Sequence, residues 1–285
     1  MTVLEVIQRS AEFLQQKGVD SPRLQIELML AHVLKLPRLK LYLNFERTLT
    51  EIELTRLREM VKRRAAREPL QHILGSTSFC DLEIKCSRAA LIPRPETELL
   101  AERAWQFLST INSQASTVLD LGTGTGCIAI ALAINAPGAR IYAVDISPDA
   151  LALAKENAAC HHLADRIEFA QGDAFDALRP ESRFDLIVSN PPYLVSAEIP
   201  ALQPEVRDFD PMLALDGGAD GLEFHRRIAR EAQTFLKRGG KLMLEFADGQ
   251  AEELKKVLSL ENWIVDEIVA DYSSRPRIMI ARRSE

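Results

Sequence analysis

Asn190-Pro191-Pro192-Tyr193 sets an amide, two ring-locked residues and an aromatic side chain in four consecutive positions. The run before it, Phe184-Asp185-Leu186-Ile187-Val188-Ser189, is apolar and β-branched and reads as a buried strand. Two prolines directly after a strand end its hydrogen-bond ladder and stiffen the turn. The amide and the ring are thereby held in fixed relation at a strand's carboxyl end, where open α/β sheets bind ligands. Such a pair suits a planar, nitrogen-bearing group, either another amide or a nucleobase. A plain strand-ending loop uses prolines in the same way, so the turn alone leaves the ligand open.

Upstream, Val118-Leu119-Asp120-Leu121 runs into Gly122-Thr123-Gly124-Thr125-Gly126, with a helix expected over Cys127–Ile134. Alternate glycines let a backbone approach a ligand closely and turn sharply. A dinucleotide fingerprint would need a third glycine at the place of Cys127. The pattern Asp-x-Gly-x-Gly-x-Gly instead resembles the S-adenosylmethionine loop of Rossmann-like methyltransferases. Tyr142-Ala143-Val144-Asp145 ends a second strand in an acid 19 residues beyond Gly126, an offset that suits a carboxylate on ribose hydroxyls. The alternative for Asp145 is the N-cap of the helix starting near Pro148. The methyltransferase resemblance further implies that Asp173 meets the adenine amino group and that Ala174 lines the ring edge.

With that loop upstream, the Asn-Pro-Pro-Tyr turn resembles amino-methyltransferases, of which adenine-N6 nucleic-acid enzymes and protein-glutamine N5 enzymes share it. Glu68-Pro69-Leu70-Gln71-His72-Ile73-Leu74-Gly75 and Leu91-Ile92-Pro93-Arg94-Pro95-Glu96-Thr97-Glu98 are similar to segments of the PrmC/HemK family of release factor glutamine methyltransferases. Asp271-Tyr272 with Arg275-Pro276-Arg277 is similar to that family's final hairpin. The resemblance implies methyl transfer from S-adenosyl-L-methionine to the glutamine of the Gly-Gly-Gln motif in peptide chain release factors. It implies cofactor contacts from Gly122, Thr123, Gly124, Thr125, Gly126, Asp145, Asp173, Ala174 and Asn190. It implies catalytic roles for Asn190, Pro191, Pro192 and Tyr193. An amide nitrogen is a poor nucleophile, because its lone pair is delocalised into the carbonyl. The Asn190 side-chain oxygen and the Pro191 carbonyl can each accept one substrate N–H, aiming that lone pair at the methyl group. Tyr193 would pack on the planar amide.

The elements that must position these residues form two parts. Residues 1–75 read as a small helical domain that would dock the release factor. Leu4, Ile7, Ala11, Phe13 and Leu14 recur at helical spacing, and Ser21-Pro22 suggests an N-cap with proline at the first helical position, opening a helix through Leu34. Thr50 with Glu53 forms a capping-box pattern ahead of a helix through Arg67. Its basic residues, Arg56, Lys62, Arg63, Arg64 and Arg67, read as a solvated face, with a docking surface for a macromolecule as the alternative. Residues 76–92 read as a linking β-hairpin. Residues 93–285 alternate helix and strand, the signature of a doubly wound, Rossmann-like sheet in an α/β fold. Strands are expected at Val118–Leu121, Arg140–Val144, Ile167–Ala170, Phe184–Ser189, Gly240–Phe246, Trp263–Ala270 and Arg277–Ala281. Arg94–Glu98 serves either as a helix cap or as site lining, and Asp216–Gly221 is a flexible loop that could border the substrate, with nothing in it to fix a role.

The totals narrow the rivals. Residues 1–75 carry 13 Lys and Arg against 9 Asp and Glu, and the remainder 22 against 32. An acidic catalytic part weighs against an adenine methyltransferase on nucleic acid, and an intact Asn-Pro-Pro-Tyr turn against a non-catalytic binding module. Cys80, Cys86, Cys127 and Cys160 show no metal-ligand spacing, so no metal is expected. No apolar run reaches the ~20 residues of a membrane span, and no secretory signal is visible at the amino terminus. The expectation is a cytoplasmic, monomeric enzyme with a protein substrate, no nucleic-acid requirement and no membrane association.

Overall fold

The computed structural model describes residues 1–111 and 115–284. By internal contacts the chain forms two units, Met1–Ser76 with Gln203–Phe209, and Thr77–Leu202 with Asp210–Glu285.

The first unit is built from α1 (Val3–Gln16), α2 (Pro22–Leu34), α3 (Glu51–Ala65) and the short α4 (Leu70–Leu74). Thr2 with Glu5, and Thr50 with Glu53, close reciprocal capping boxes that start α1 and α3. Pro22 opens α2 and Ser21 occupies its N-cap position, as the sequence suggests. Ser21 lies at φ 46 with no side-chain cap. Pro22 sets its own helical φ and disfavours a right-handed helical conformation in the residue before it. Val3, Ile7, Leu14, Ile26, Leu30, Leu41 and Leu57 meet in one core. Phe13 falls beside the buried stripe rather than on it and is 41% exposed.

The basic run of α3 is not simply a solvated face. Arg64 is 4% exposed, and its Nη2 donates to Glu205 Oε1 at 2.6 Å. Arg67 donates to both Glu205 oxygens, at 2.7 and 2.6 Å. Burial would raise the Glu205 carboxyl, but the bonds from Arg67 and Arg64 outweigh it and hold the group below the usual carboxylate range. Glu205 belongs to the Gln203–Phe209 segment, more than a hundred residues further along, where helical periodicity carries no information. Replacing it by glutamine removes the carboxylate that both guanidinium groups share, one of them buried. Glu205→Gln is therefore expected to destabilise the helical unit by about 2–4 kcal/mol, measured by urea denaturation of the full chain. Because the Glu205 carboxyl is depressed on folding, the wild-type advantage is present at neutral pH and is lost as pH falls through the folded-state value.

In the second unit the hairpin β1 (Ser76–Phe79) and β2 (Leu82–Lys85) precedes α5 (Pro95–Thr110). A seven-stranded sheet follows: β3 (Thr117–Leu121), β4 (Arg140–Asp145), β5 (Ile167–Gln171), β6 (Phe184–Ser189), β7 (Leu236–Glu245), β8 (Trp263–Ala270) and β9 (Pro276–Arg283). Their spatial order is β5-β4-β3-β6-β7-β9-β8. The first five in that order pair in parallel, and β9 runs antiparallel between β7 and β8. All seven expected strands form. The largest boundary difference is β7, which begins at Leu236 rather than Gly240. Its register against β6 shifts between Phe184 and Leu186, so the pairing continues past an irregularity.

From β3 the chain passes through α6 (Cys127–Asn135) to β4 on one side, whereas β6 lies on the other. The register Val118↔Leu186, Leu119↔Ile187, Asp120↔Val188 brings the glycine loop and the Asn190 turn to one carboxyl edge. This is the switch point at which connections diverge and a crevice opens. Buried Asn157 on α7 (Pro148–Cys160) accepts from Lys85 N at 2.8 Å and donates to Thr125 O at 2.9 Å. One amide side chain thus fastens the hairpin to the glycine loop.

Candidate active site

The glycine loop is shaped by its backbone. Gly122, Gly124 and Gly126 have φ of 73, 57 and 79°, a region that side chains disfavour. Gly122 N and Thr123 N both donate to Val144 O, at 2.9 and 3.0 Å, anchoring the loop to β4. Asp145, at the end of β4, accepts from Gly124 N through Oδ2 at 2.8 Å and from Ser147 N through Oδ1 at 2.9 Å. The N-cap of α7 is Ser147, whose hydroxyl accepts from Ala150 N, so Asp145 does not cap that helix. Each Asp145 oxygen keeps acceptor capacity beyond its one backbone bond.

A cavity of about 370 Å³ opens here, inside the range of about 300–1,000 Å³ for small-molecule sites. Its lining includes Gly122, Thr123, Gly124, Thr125, Asp145, Asp173 and Ala174 on one side and Asn190, Pro191 and Pro192 on the other. Gly126 and Tyr193, singled out with them in the sequence, lie outside the lining. A Cβ on Gly126 would come to 3.1 Å of the Ala154 Cβ, so this glycine serves the approach of α7. Tyr193 donates its hydroxyl to Glu245 Oε1 at 3.1 Å. Asp173 is held by Arg227, which donates to its Oδ1 at 2.5 Å and to its carbonyl at 3.0 Å. Arg227 also lines the cavity, and nothing in its sequence context marks it.

The Arg94–Glu98 segment does both of the things its sequence suggests: Pro95 opens α5 with Glu96 and Glu98 in the first turn, and Arg94 and Thr97 turn to the cavity. Arg94 occupies the N-cap position of α5 but makes no side-chain cap. Its Nη2 instead donates to buried Asp210 at 2.6 Å, and both Arg94 and Thr97 line the cavity. The Asp216–Gly221 loop also has a structural task. Leu194 N donates to Leu215 O and Gly217 N donates to Leu194 O, and a Cβ on Gly221 would fall 2.3 Å from the Tyr193 carbonyl oxygen. The loop presses against the backbone of the proline turn, and its first residue, Asp216, lines the cavity.

Comparison with known proteins agrees with this architecture. The family model "PrmC N-terminal domain" matches residues 5–75, and "Methyltransferase domain" matches residues 112–274. A release factor glutamine methyltransferase of Geobacter sulfurreducens is 45% identical over 258 residues, covering 90% of this chain and 88% of the relative. The protein of the same name from Moorella thermoacetica is 38% identical and covers all of both chains. Among solved structures, a methyltransferase from Pyrococcus furiosus aligns over 81% of this chain and 98% of its own with a TM-score of 0.52 at 18% identity. At that identity it shows the fold alone.

Behind the lining sits an unusual set of buried polar groups. Asp120 is fully buried beneath the glycine loop and accepts the Thr123 hydroxyl at 2.7 Å, and burial pushes its carboxyl up to about 7. Glu245, at the end of β7, is 1% exposed and accepts from Thr97 and Tyr193. Burial pushes it too up to about 7, against the lowering effect of those two hydroxyls. Glu96 of α5 and Arg277 of β9 act on it with opposite signs, while His225 places its Nε2 2.9 Å from the Glu245 carbonyl. Burial pulls His225 down to about 4, so the neutral ring donates from Nε2. For Glu245 the folded value lies above the unfolded one. Folding therefore favours the protonated form, and this group's contribution to stability falls as pH rises from about 4.5 to about 7. Glu245→Gln should gain stability relative to the wild type across that interval, by up to about 3 kcal/mol, and level off above it. Urea titrations of both proteins at several pH values check this; parallel curves at every pH would contradict it.

Proposed function

The chain belongs to the PrmC family of release factor glutamine methyltransferases, and we propose on that premise that it methylates the side-chain amide nitrogen of the glutamine in the Gly-Gly-Gln motif of peptide chain release factors, with S-adenosyl-L-methionine as donor. The observation that carries this reading is that the glycine loop and the Asn190-Pro191-Pro192 turn line one cavity at the switch point of the sheet. The adenine-N6 alternative has no comparable support, since the relatives that align over most of the chain carry the release factor name.

The residues present fit the donor. Gly122 and Gly124 offer a backbone that side chains do not crowd, Asp145 holds spare acceptor capacity that would suit ribose hydroxyls, and Asp173 and Ala174, which would meet the adenine, border the same cavity. When bound, S-adenosyl-L-methionine supplies an electrophilic methyl group. Asn190 Oδ1 and the Pro191 carbonyl accept the two N–H groups of the substrate amide. Held so, the nitrogen lone pair is oriented for transfer, and both acceptors favour the positive charge that develops on nitrogen. Pro191 and Pro192 keep these acceptors from swinging away. The same reading takes the enzyme as a monomer that needs no nucleic acid. Tyr193 supports the turn through Glu245.

The helical unit, residues 1–75, is assigned to docking the release factor, 76–92 to the link, and 93–285 to catalysis. Supporting this, the helical part has the opposite charge balance to the remainder and exposes Leu39 and Leu43. Among the described residues no helix is long and apolar enough to cross a membrane, and a substrate from translation termination implies action in the cytoplasm. Incubation with methyl-labelled donor and a purified release factor should label one glutamine, located by peptide mass spectrometry. Label on DNA and none on the factor would overturn the reading. Asn190→Ala is expected to lower kcat by about 100-fold or more, with the thermal unfolding transition retained.

A further inference from the structure

The Asn190 side chain is not free to choose which end of its amide faces the cavity. Its Nδ2 donates to Thr97 Oγ1 at 3.0 Å, and the Thr97 hydroxyl donates to Glu245 Oε2 at 2.8 Å. A hydroxyl has one proton. Once that proton is given to Glu245, the Thr97 oxygen can only accept, and it selects the NH2 end of Asn190. The carbonyl end, Oδ1, is then turned away from Thr97. Glu245 enforces this polarity when ionised. It does so also when a single proton sits on Oε1, the oxygen facing Tyr193, because Oε2 remains an acceptor.

We propose that Thr97 and Glu245 are positioning residues that set the flip state of the Asn190 amide, so that an acceptor and not a donor meets the substrate nitrogen. The inference rests on the methyltransferase reading above. With the opposite flip, Asn190 would oppose its own NH2 to the NH2 of the substrate, two donors facing each other with no acceptor between them. The relay also bears on specificity. An acceptor at Oδ1 attracts the NH2 of glutamine and repels the carboxylate of glutamate, which offers acceptors only. The same Glu245 carboxylate takes the Tyr193 hydroxyl on Oε1, so one buried group locks the first and last residues of the turn. Thr97 lies in the segment that sequence reading left divided between capping and lining. It is 2% exposed, 93 residues from Asn190 and 148 from Glu245.

The test compares two substitutions at one position in the full chain. Thr97→Ser keeps the hydroxyl, whereas Thr97→Val keeps the shape and removes it. The valine variant should lose about 30- to 100-fold in kcat on the release factor, and the serine variant should stay within about threefold of wild type. Donor affinity by calorimetry should hold within about twofold in both. Wild-type kcat in the valine variant would overturn the proposal. So would an equal loss in serine and valine, which marks a packing role. A second readout needs no substrate: the side-chain amide signals of Asn190, identified by their loss in Asn190→Ala, should be preserved in the serine variant and displaced in the valine variant. If the wild type labels no release factor while these signals behave as stated, the functional reading fails and the positioning role stands. If labelling succeeds and the signals are the same in both variants, the positioning role fails.

Discussion

The pairing of β3 with β6 is the constraint from which the site follows. These strands lie side by side at the centre of the sheet with Val118, Leu119, Leu121, Leu186, Ile187 and Val188 all buried, the near-continuous apolar runs of parallel strands covered on both faces. A slip of one residue would exchange the faces of every side chain in the moving strand and carry the Asn190 turn out of step with the glycine loop. Burial on both faces makes such a slip costly. Neither the loop nor the turn needs to find the other; both are delivered to one edge by strands whose register the core already specifies.

That edge is also where the second unit concentrates buried polar groups. Asp120, Asp210, His225 and Glu245 are all withdrawn from solvent. Removing a carboxylate from water is unfavourable unless hydrogen bonds compensate it, and the compensation here is partial, as the upward displacement of Asp120 and Glu245 indicates. Apolar replacements could fill the same volumes. What they could not do is orient a hydroxyl or a guanidinium, and the three carboxyl groups end on Thr123, Arg94, Thr97 and Tyr193. Three of those four border the cavity. The fourth, Tyr193, belongs to the turn itself.

Much of the framework was legible in the sequence because it is written in local patterns. Buried strands show as short apolar, β-branched runs, the capping box at Thr50 needs only four residues, and the glycine loop and proline turn are contiguous. The illegible parts are contacts between residues far apart in the chain. Glu205 reaches back to Arg64 and Arg67, Arg227 to Asp173, and Glu245 to Thr97. No periodicity links such positions, so a basic run read as solvated turned out to be partly paired and buried. Tyr193 is the subtler case. Its place in the motif was plain, but whether its ring faced a ligand or its hydroxyl faced the protein depended on a carboxylate 52 residues away.

The two walls of the cavity therefore obey different physics. The glycine side is specified by backbone conformation: three positive φ angles and amides tied to Val144 and Asp145. Its shape depends on what side chains leave out. The Asn190 side is specified by the direction in which protons point along Asn190, Thr97 and Glu245, a property that shape alone does not fix. A planar amide can sit in the same space either way round, so steric fit cannot distinguish the productive flip from its reverse. A chain of donors ending on an acceptor can, and Glu245 Oε2 at the end of β7, beside β6 in the sheet, stands where such a chain has to end.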